Sequence, residues 1–129
     1  LNILVDEKLI EKLPEKASRN KNLFEITDLG RQALSAWLSN HEYTIIYRDE
    51  LLLKLFVSKS SDYPAILIDL KNVLADLEAR QQVYQEMQKM ISTKPESLSY
   101  DLVLEYGIVE NEATIRWLKK AIKRIEESL

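Results

Sequence analysis

The feature that most restricts this 129-residue chain is the run from Pro64 to Ile91, where neither glycine nor a further proline intervenes. Within it Ile66, Leu70, Val73, Leu77, Tyr84, Met87 and Ile91 recur at alternating spacings of four and three, and Arg80 is the one polar entry. That is a heptad seam, and it predicts a single α-helix starting at Pro64, a residue favoured where the first helical N–H has no partner. At 1.5 Å per residue such a helix is about 40 Å long, longer than a small domain needs for its own core. Ser92 to Pro95 breaks the run. A second helical region is predicted from near Ser97, interrupted at Gly107 and continuing to the end, with Ile115, Leu118, Ile122, Ile125 and Leu129 repeating the four-three spacing. Two antiparallel heptad helices joined by a short turn result. Their seams are larger than monomers leave in water, which predicts a homodimer held by Ile115, Leu118, Ile122, Ile125 and Leu129.

Composition narrows the chemistry. The chain has no cysteine and a single histidine, which excludes thiol catalysis and disulfide frameworks and leaves no His-based metal site or Ser-His triad. Asp69, Asp76, Glu78 and Glu86 lack the Glu-x-x-His pairing of a di-metal bundle, so no metal and no cofactor is expected. No nucleophile-base pair or phosphate loop is present, and the expectation is that the protein is not an enzyme. With 46% hydrophobic and 30% charged residues but only two glycines and three prolines, a mostly α fold is predicted. No apolar run approaches the roughly 20 residues that span a bilayer, and no basic leader opens the chain, so a cytoplasmic protein without membrane contact is expected.

The front of the chain reads differently. LNILVDEKL has helical spacing without a preceding cap, like the tail of a helix, and a segment upstream of Leu1 is expected. Leu9 to Pro14 and Asn22 to Thr27 each alternate apolar with polar and predict two short strands. The polar stretch EKASRNK between them, taken with Lys12, sets Lys12, Lys16, Arg19 and Lys21 against Glu15, so a hairpin with a positive tip is predicted. Thr27 caps the next helix, Asp28 favours its dipole, and Leu34, Trp37 and Leu38, with Ala33 and Gly30 behind them, are expected as its packed stripe. In YRDELLLKLFVSKS the apolar residues run almost all the way round, which predicts a helix buried on more than one side, with Leu51 and Leu55 at the dimer contact.

A helix end, a ribbon with a basic tip and a capped helix is the order of the second half of a winged helix-turn-helix. The fold class expected is therefore mostly α: a partial winged helix (two-stranded wing plus linker helix) over residues 1–44, then a helical C-terminal dimerisation domain over 45–129. The wing side chains Lys12, Lys16, Arg19 and Lys21 are expected to neutralise phosphates, with Asn20 and Asn22 donating hydrogen bonds to the DNA backbone. Any exposed hairpin tip is polar, so charge alone does not decide the point.

LVDEKLIEKL, SRNKNLFEITDLGRQALSAWL, YRDELLLKLF and ATIRWLKKAIKRIE, in that order, resemble the PadR-like transcriptional regulators whose C-terminal helical domain is of the virulence-activator type. The resemblance spans nearly the whole chain. It implies a bacterial winged-helix regulator, a repressor in the main, that binds double-stranded operator DNA as a homodimer through its C-terminal helices and is relieved by a small hydrophobic or aromatic effector. By position, Arg19 and Lys21 match the family's basic wing residues, and Thr27 and Gly30 its turn into the linker helix. Leu51, Leu52, Leu55 and Phe56 match its apolar docking helix, and Trp117 with Leu118 the aromatic-leucine pair of its last helix. Family wings commonly carry a Gly or Pro near the arginine, and EKASRNK has neither.

Two choices stay open at this level. Trp37 and Phe56 either line a pocket for an aromatic effector or pack in a core. The heptads by themselves are equally compatible with a helical dimerisation or scaffold module that has no nucleic-acid role.

Overall fold

The computed structural model describes residues 1–14, 22–91 and 98–129. The chain divides into two compact units, Leu1–Tyr47 and Arg48–Leu129.

The first unit comprises α1 (Asn2–Asp6), β1 (Ile10–Lys12), β2 (Phe24–Ile26) and α2 (Asp28–Leu38). The short helix ends in a Schellman motif. The Leu9 N–H returns to the Leu4 carbonyl and the Lys8 N–H to the Val5 carbonyl, both at 2.9 Å, while Lys8 itself adopts φ 58. That reversal throws the chain into β1, which pairs antiparallel with β2 in the register Ile10 to Ile26, Glu11 to Glu25 and Lys12 to Phe24. The ribbon is shorter than the alternation predicted.

Thr27 caps α2 as expected, its Oγ1 accepting from the Gly30 N–H at 3.0 Å. The anticipated stripe is corrected: Gly30 is the one buried residue of α2, whereas Leu34, Trp37 and Leu38 are exposed. One helical turn and two three-residue strands are too small to cover an eleven-residue helix.

The second unit holds α3 (Glu50–Val57), a 3₁₀ turn (Ser60–Asp62), α4 (Tyr63–Ile91) and α5 (Leu98–Ser128). Asp49 Oδ1 caps α3 by accepting from the Leu52 N–H at 2.9 Å, and Pro64 stands second in α4, still in the turn whose N–H groups lack helical partners. The partners between α4 and α5 run in opposite order: Lys71 with Glu126, Glu78 with Lys119, Gln81 with Glu112. The two helices are therefore antiparallel.

Ile66, Leu70, Leu118, Ile122 and Ile125 form one buried cluster, with Leu51, Leu55, Tyr63, Leu67, Val73, Leu74 and Leu77 packed against it. The seam expected to meet a second copy is thus closed by the chain's own α4. Leu118 is 0% exposed, Ile122 and Ile125 are buried and Ile115 is half-buried, while Leu129 is exposed at the end. Leu51 and Leu55 likewise pack into this core from one face of α3, leaving Leu52, Leu53, Phe56 and Val57 exposed. The four-three rule identifies a face that must be covered, and an antiparallel hairpin covers it at lower entropic cost than a separate chain does.

Gly107 does not interrupt α5. A glycine inside a helix costs roughly 1 kcal/mol relative to alanine, but here the Tyr84 ring lies against the backbone, 3.4 Å from where a Cβ would stand.

Candidate nucleic-acid interface

The ribbon that would face DNA is anchored at its base by Thr27. Its hydroxyl donates to the Lys8 carbonyl at 2.7 Å, with the Leu9 carbonyl at 3.1 Å, and its N–H donates to the Leu9 carbonyl at 3.0 Å. The same oxygen caps α2. One side chain therefore joins the end of α1, the start of β1 and the start of α2. Gly30 completes the junction: a Cβ there would overlap the Leu9 carbonyl oxygen and lie 2.8 Å from Ile26 Cγ1. Only a residue without a side chain lets α2 start this close to β1.

Of the residues expected on the wing, Lys12 ends β1 with an exposed side chain, and Asn22 is exposed two residues before β2. Lys16, Arg19, Asn20 and Lys21 lie outside the described residues. The described ribbon is not itself basic, since Glu11 stands opposite Glu25, both exposed. Like charges directly across a ladder repel, so any attraction for phosphate belongs to Lys12 and the segment beyond it.

Trp37 and Phe56, expected at an effector pocket, fall in different units and are 70% and 87% exposed. Trp37 borders an open groove with Leu38, His41, Glu42 and Tyr43, so it is not a packed core residue. A second groove, of about 390 Å³, runs between α3, the start of α4 and the end of α5, lined by Leu55, Tyr63, Trp117, Lys120, Arg124 and Ile125. Among the described residues no group of three or more His, Asp or Glu is placed to hold a metal ion, and no helix is long and apolar enough to cross a membrane.

Two residues with structural consequences carry little signal in the sequence. Lys8 makes the left-handed turn, a conformation that a lysine does not announce. Asn111, 4% exposed, donates through Nδ2 to the Leu77 carbonyl at 2.9 Å and to Gln81 Oε1 at 2.7 Å. Extending the seam four residues back from Ile115 lands on Asn111, and that spacing is the one clue to its burial.

The ribbon, its capped helix and the antiparallel helical hairpin together define the winged-helix fold of PadR-like proteins. Solved structures share it. The PadR-like transcriptional regulator BC1756 from Bacillus cereus superposes with a TM-score of 0.76 at 19% identity, over 99% of this chain and 74% of that one. The Vibrio cholerae virulence activator AphA gives 0.71 at 19%, over 99% and 75%. Bacillus subtilis PadR gives 0.66 at 22% in complex with operator DNA, over 96% and 74%, and 0.63 at 22% with p-coumaric acid, over 97% and 73%. No curated protein sequence matches the chain. The family model described as virulence activator alpha C-term matches residues 47–126, and the chain belongs to that family.

Proposed function

We propose that this chain belongs to a bacterial DNA-binding transcriptional regulator, a repressor acting as a homodimer, and not an enzyme. The observation that carries the reading is the ribbon locked by Thr27 and Gly30 directly ahead of α2, in a chain whose helical unit belongs to the virulence-activator family. The fold shared with a protein solved on operator DNA supports it. The wing residues proposed to contact phosphate are Lys12, Lys16, Arg19 and Lys21, with Asn20 and Asn22 as hydrogen-bond donors. Phosphate contacts fix position without reading bases, so the wing is assigned positioning and not sequence choice.

The dimer surface is reassigned. With Leu118, Ile122 and Ile125 used internally, the exposed stripe Leu102, Tyr106 and Val109 on the first half of α5, beside Val103, is the face a second copy would cover. An aromatic effector is part of the proposal, supported by the p-coumaric acid complex of the B. subtilis protein. Trp37 and Phe56 are exposed and lie in separate units, so either ring alone is a proposed contact for such a molecule.

Mobility shifts of the full-length regulator on duplex DNA across a salt series test the reading. Replacing Lys16, Arg19 and Lys21 by glutamine should lower the slope of log affinity against log salt by about 0.9 for each phosphate no longer neutralised. An unchanged slope refutes the wing assignment. Absence of any DNA binding leaves the helical scaffold module as the function.

A further inference from the structure

Packing along the α4–α5 hairpin is uneven. The inner half is closed by Ile66, Leu70, Leu118, Ile122 and Ile125, with Leu51 and Leu55 of α3 against them, and ion pairs from Lys71 to Glu126 and from Lys119 to Glu78 bridge it. That cluster stops short of Asn111, whose Nδ2 donates to the Leu77 carbonyl and Gln81 Oε1 while its buried Oδ1 has no partner among the described residues. Beyond this polar layer Leu104 is the one buried residue described on either helix. Met87 of the α4 seam is 44% exposed, and with Tyr84, Ile91, Tyr100, Val103 and Leu104 it lines an apolar cleft of about 480 Å³. Gly107, one turn before Asn111, is in the same half.

Each feature weakens the outer half. Side chains that border a cleft lack the dispersion contacts of a closed core, a buried acceptor without a donor has lost its water, and an interior glycine recovers more freedom than any other residue when a helix opens. The polar layer also interrupts the apolar contact through which the two halves would unfold together. Residues 82–91 and 98–107 make two arms of ten residues each. Helix of that length is marginal in water without a packing face, so arms that part from each other also fray.

We infer that the hairpin is hinged at the Asn111–Gln81 layer, so that the outer arms part and close as one unit while the inner half stays packed. The biological consequence rests on the proposed dimer face. Leu102 and Tyr106 lie on an opening arm, so a second copy binds the closed hairpin and holds it closed. Opening itself is a property of the single chain and does not depend on that reading.

Amide hydrogen exchange of the full chain, followed by NMR, tests the hinge. Amides of residues 84–91 and 102–107 should be less protected than those of 67–77 and 115–125 by about tenfold or more, with a step at Gln81 and Asn111. Ile122→Val removes a buried methyl from the inner half and should speed the inner amides roughly two- to tenfold. The outer amides should not respond, because the opened form keeps the Ile122 contacts. Gly107→Ala, whose added Cβ would stand 3.4 Å from the Tyr84 ring, should slow the outer amides about fivefold. Equal protection of the two halves overturns the inference, as does an Ile122→Val effect that speeds both alike. A protection that declines smoothly toward the helix ends is ordinary fraying and equally overturns it. Raising the protein concentration should slow the outer amides, and outer amides that ignore a dimer seen by sedimentation overturn the link to assembly. A chain that sediments as a monomer throughout counts against the dimer face alone, and the exchange step still decides the hinge.

Discussion

The Thr27 hydroxyl donates to the Lys8 carbonyl across 2.7 Å, joining two residues nineteen positions apart in sequence. The same oxygen accepts from Gly30, so the bond couples a helix cap to the closure of the ribbon. Thr27→Val keeps the shape and removes both interactions. Loss of a cap alone costs about 1 to 2 kcal/mol, and the first unit should be destabilised by at least that much. Thr27→Ser restores both bonds and should recover most of the difference. Urea denaturation followed by circular dichroism, with protease cleavage within residues 1–47 as the local readout, checks the pair. Equal stability of the valine and serine forms would show that the hydroxyl does not hold the junction.

Gly30→Ala sets two principles against each other. Alanine favours a helix over glycine by roughly 1 kcal/mol. The added Cβ, however, meets the Leu9 carbonyl and Ile26 Cγ1. The nearer obstacle is backbone and cannot rotate away, so overpacking of about 1 to 3 kcal/mol should win. The expected sign is destabilisation, with faster proteolysis of the first unit. A stabilised alanine variant would mean that α2 does not start this close to β1.

Lys8→Gly runs the other way. A non-glycine residue at φ 58 costs about 1 kcal/mol, and the Schellman bonds use only backbone atoms that glycine retains. The variant should be more stable by a few tenths to about 1 kcal/mol, net of the extra freedom glycine has when unfolded. The urea midpoint measures it.

Much of this fold is legible in the sequence because its signals are local. A Thr ahead of an Asp marks a helix start through an interaction three residues long, and Thr27 caps α2 where the spacing puts it. The heptads of α4 and α5 likewise mark the buried faces at Ile66 to Leu77 and Leu118 to Ile125, whereas Arg80, Met87 and Leu129 of the same seams are exposed. What periodicity does not carry is the identity of the cover. Leu118, Ile122 and Ile125 meet α4 of their own chain, while Leu34, Trp37 and Leu38 have an equally good helical stripe and no cover within their unit. Gly30 reads as a turn residue, but its reason is a contact with Leu9 that only the fold creates. The basic character of the wing is legible in Lys16, Arg19 and Lys21, and the structure describes only its base.

The reassigned dimer face makes a prediction that the Ile115 to Leu129 seam does not. Leu102→Glu with Tyr106→Glu alters exposed positions of α5 and leaves the buried cluster intact. Sedimentation should show a folded monomer, and operator affinity of the full-length protein should fall with it, since two half-sites need two readers at a set spacing. Changing Leu118 to Ala, by contrast, should cost the fold itself about 2 to 5 kcal/mol. A dimer that survives the double glutamate change would move the interface off this stripe.

Asn111 separates stability from specificity. Its Nδ2 bonds the Leu77 carbonyl and Gln81 Oε1, and its own Oδ1 is buried without a hydrogen-bond partner among the described residues. Asn111→Leu therefore removes one buried polar group left unsatisfied along with two hydrogen bonds, and should change stability by less than about 1 kcal/mol while loosening the pairing of α4 with α5. Asn111→Asp differs because it presents an oxygen to two acceptors. Burial and that repulsion disfavour the anion, so the folded state would hold the new proton more tightly than the unfolded chain does. Such a carboxyl titrates in the folded state above its unfolded value of about 3.9. Below that value both states are protonated and the variant keeps most of its stability. As the pH rises the unfolded chain ionises first, and stability falls until the raised folded value is passed. Urea midpoints at pH 4 and pH 7 should thus differ for the aspartate variant far more than for the leucine variant or the parent. A flat profile for the aspartate form would place residue 111 in contact with water and remove it from the seam.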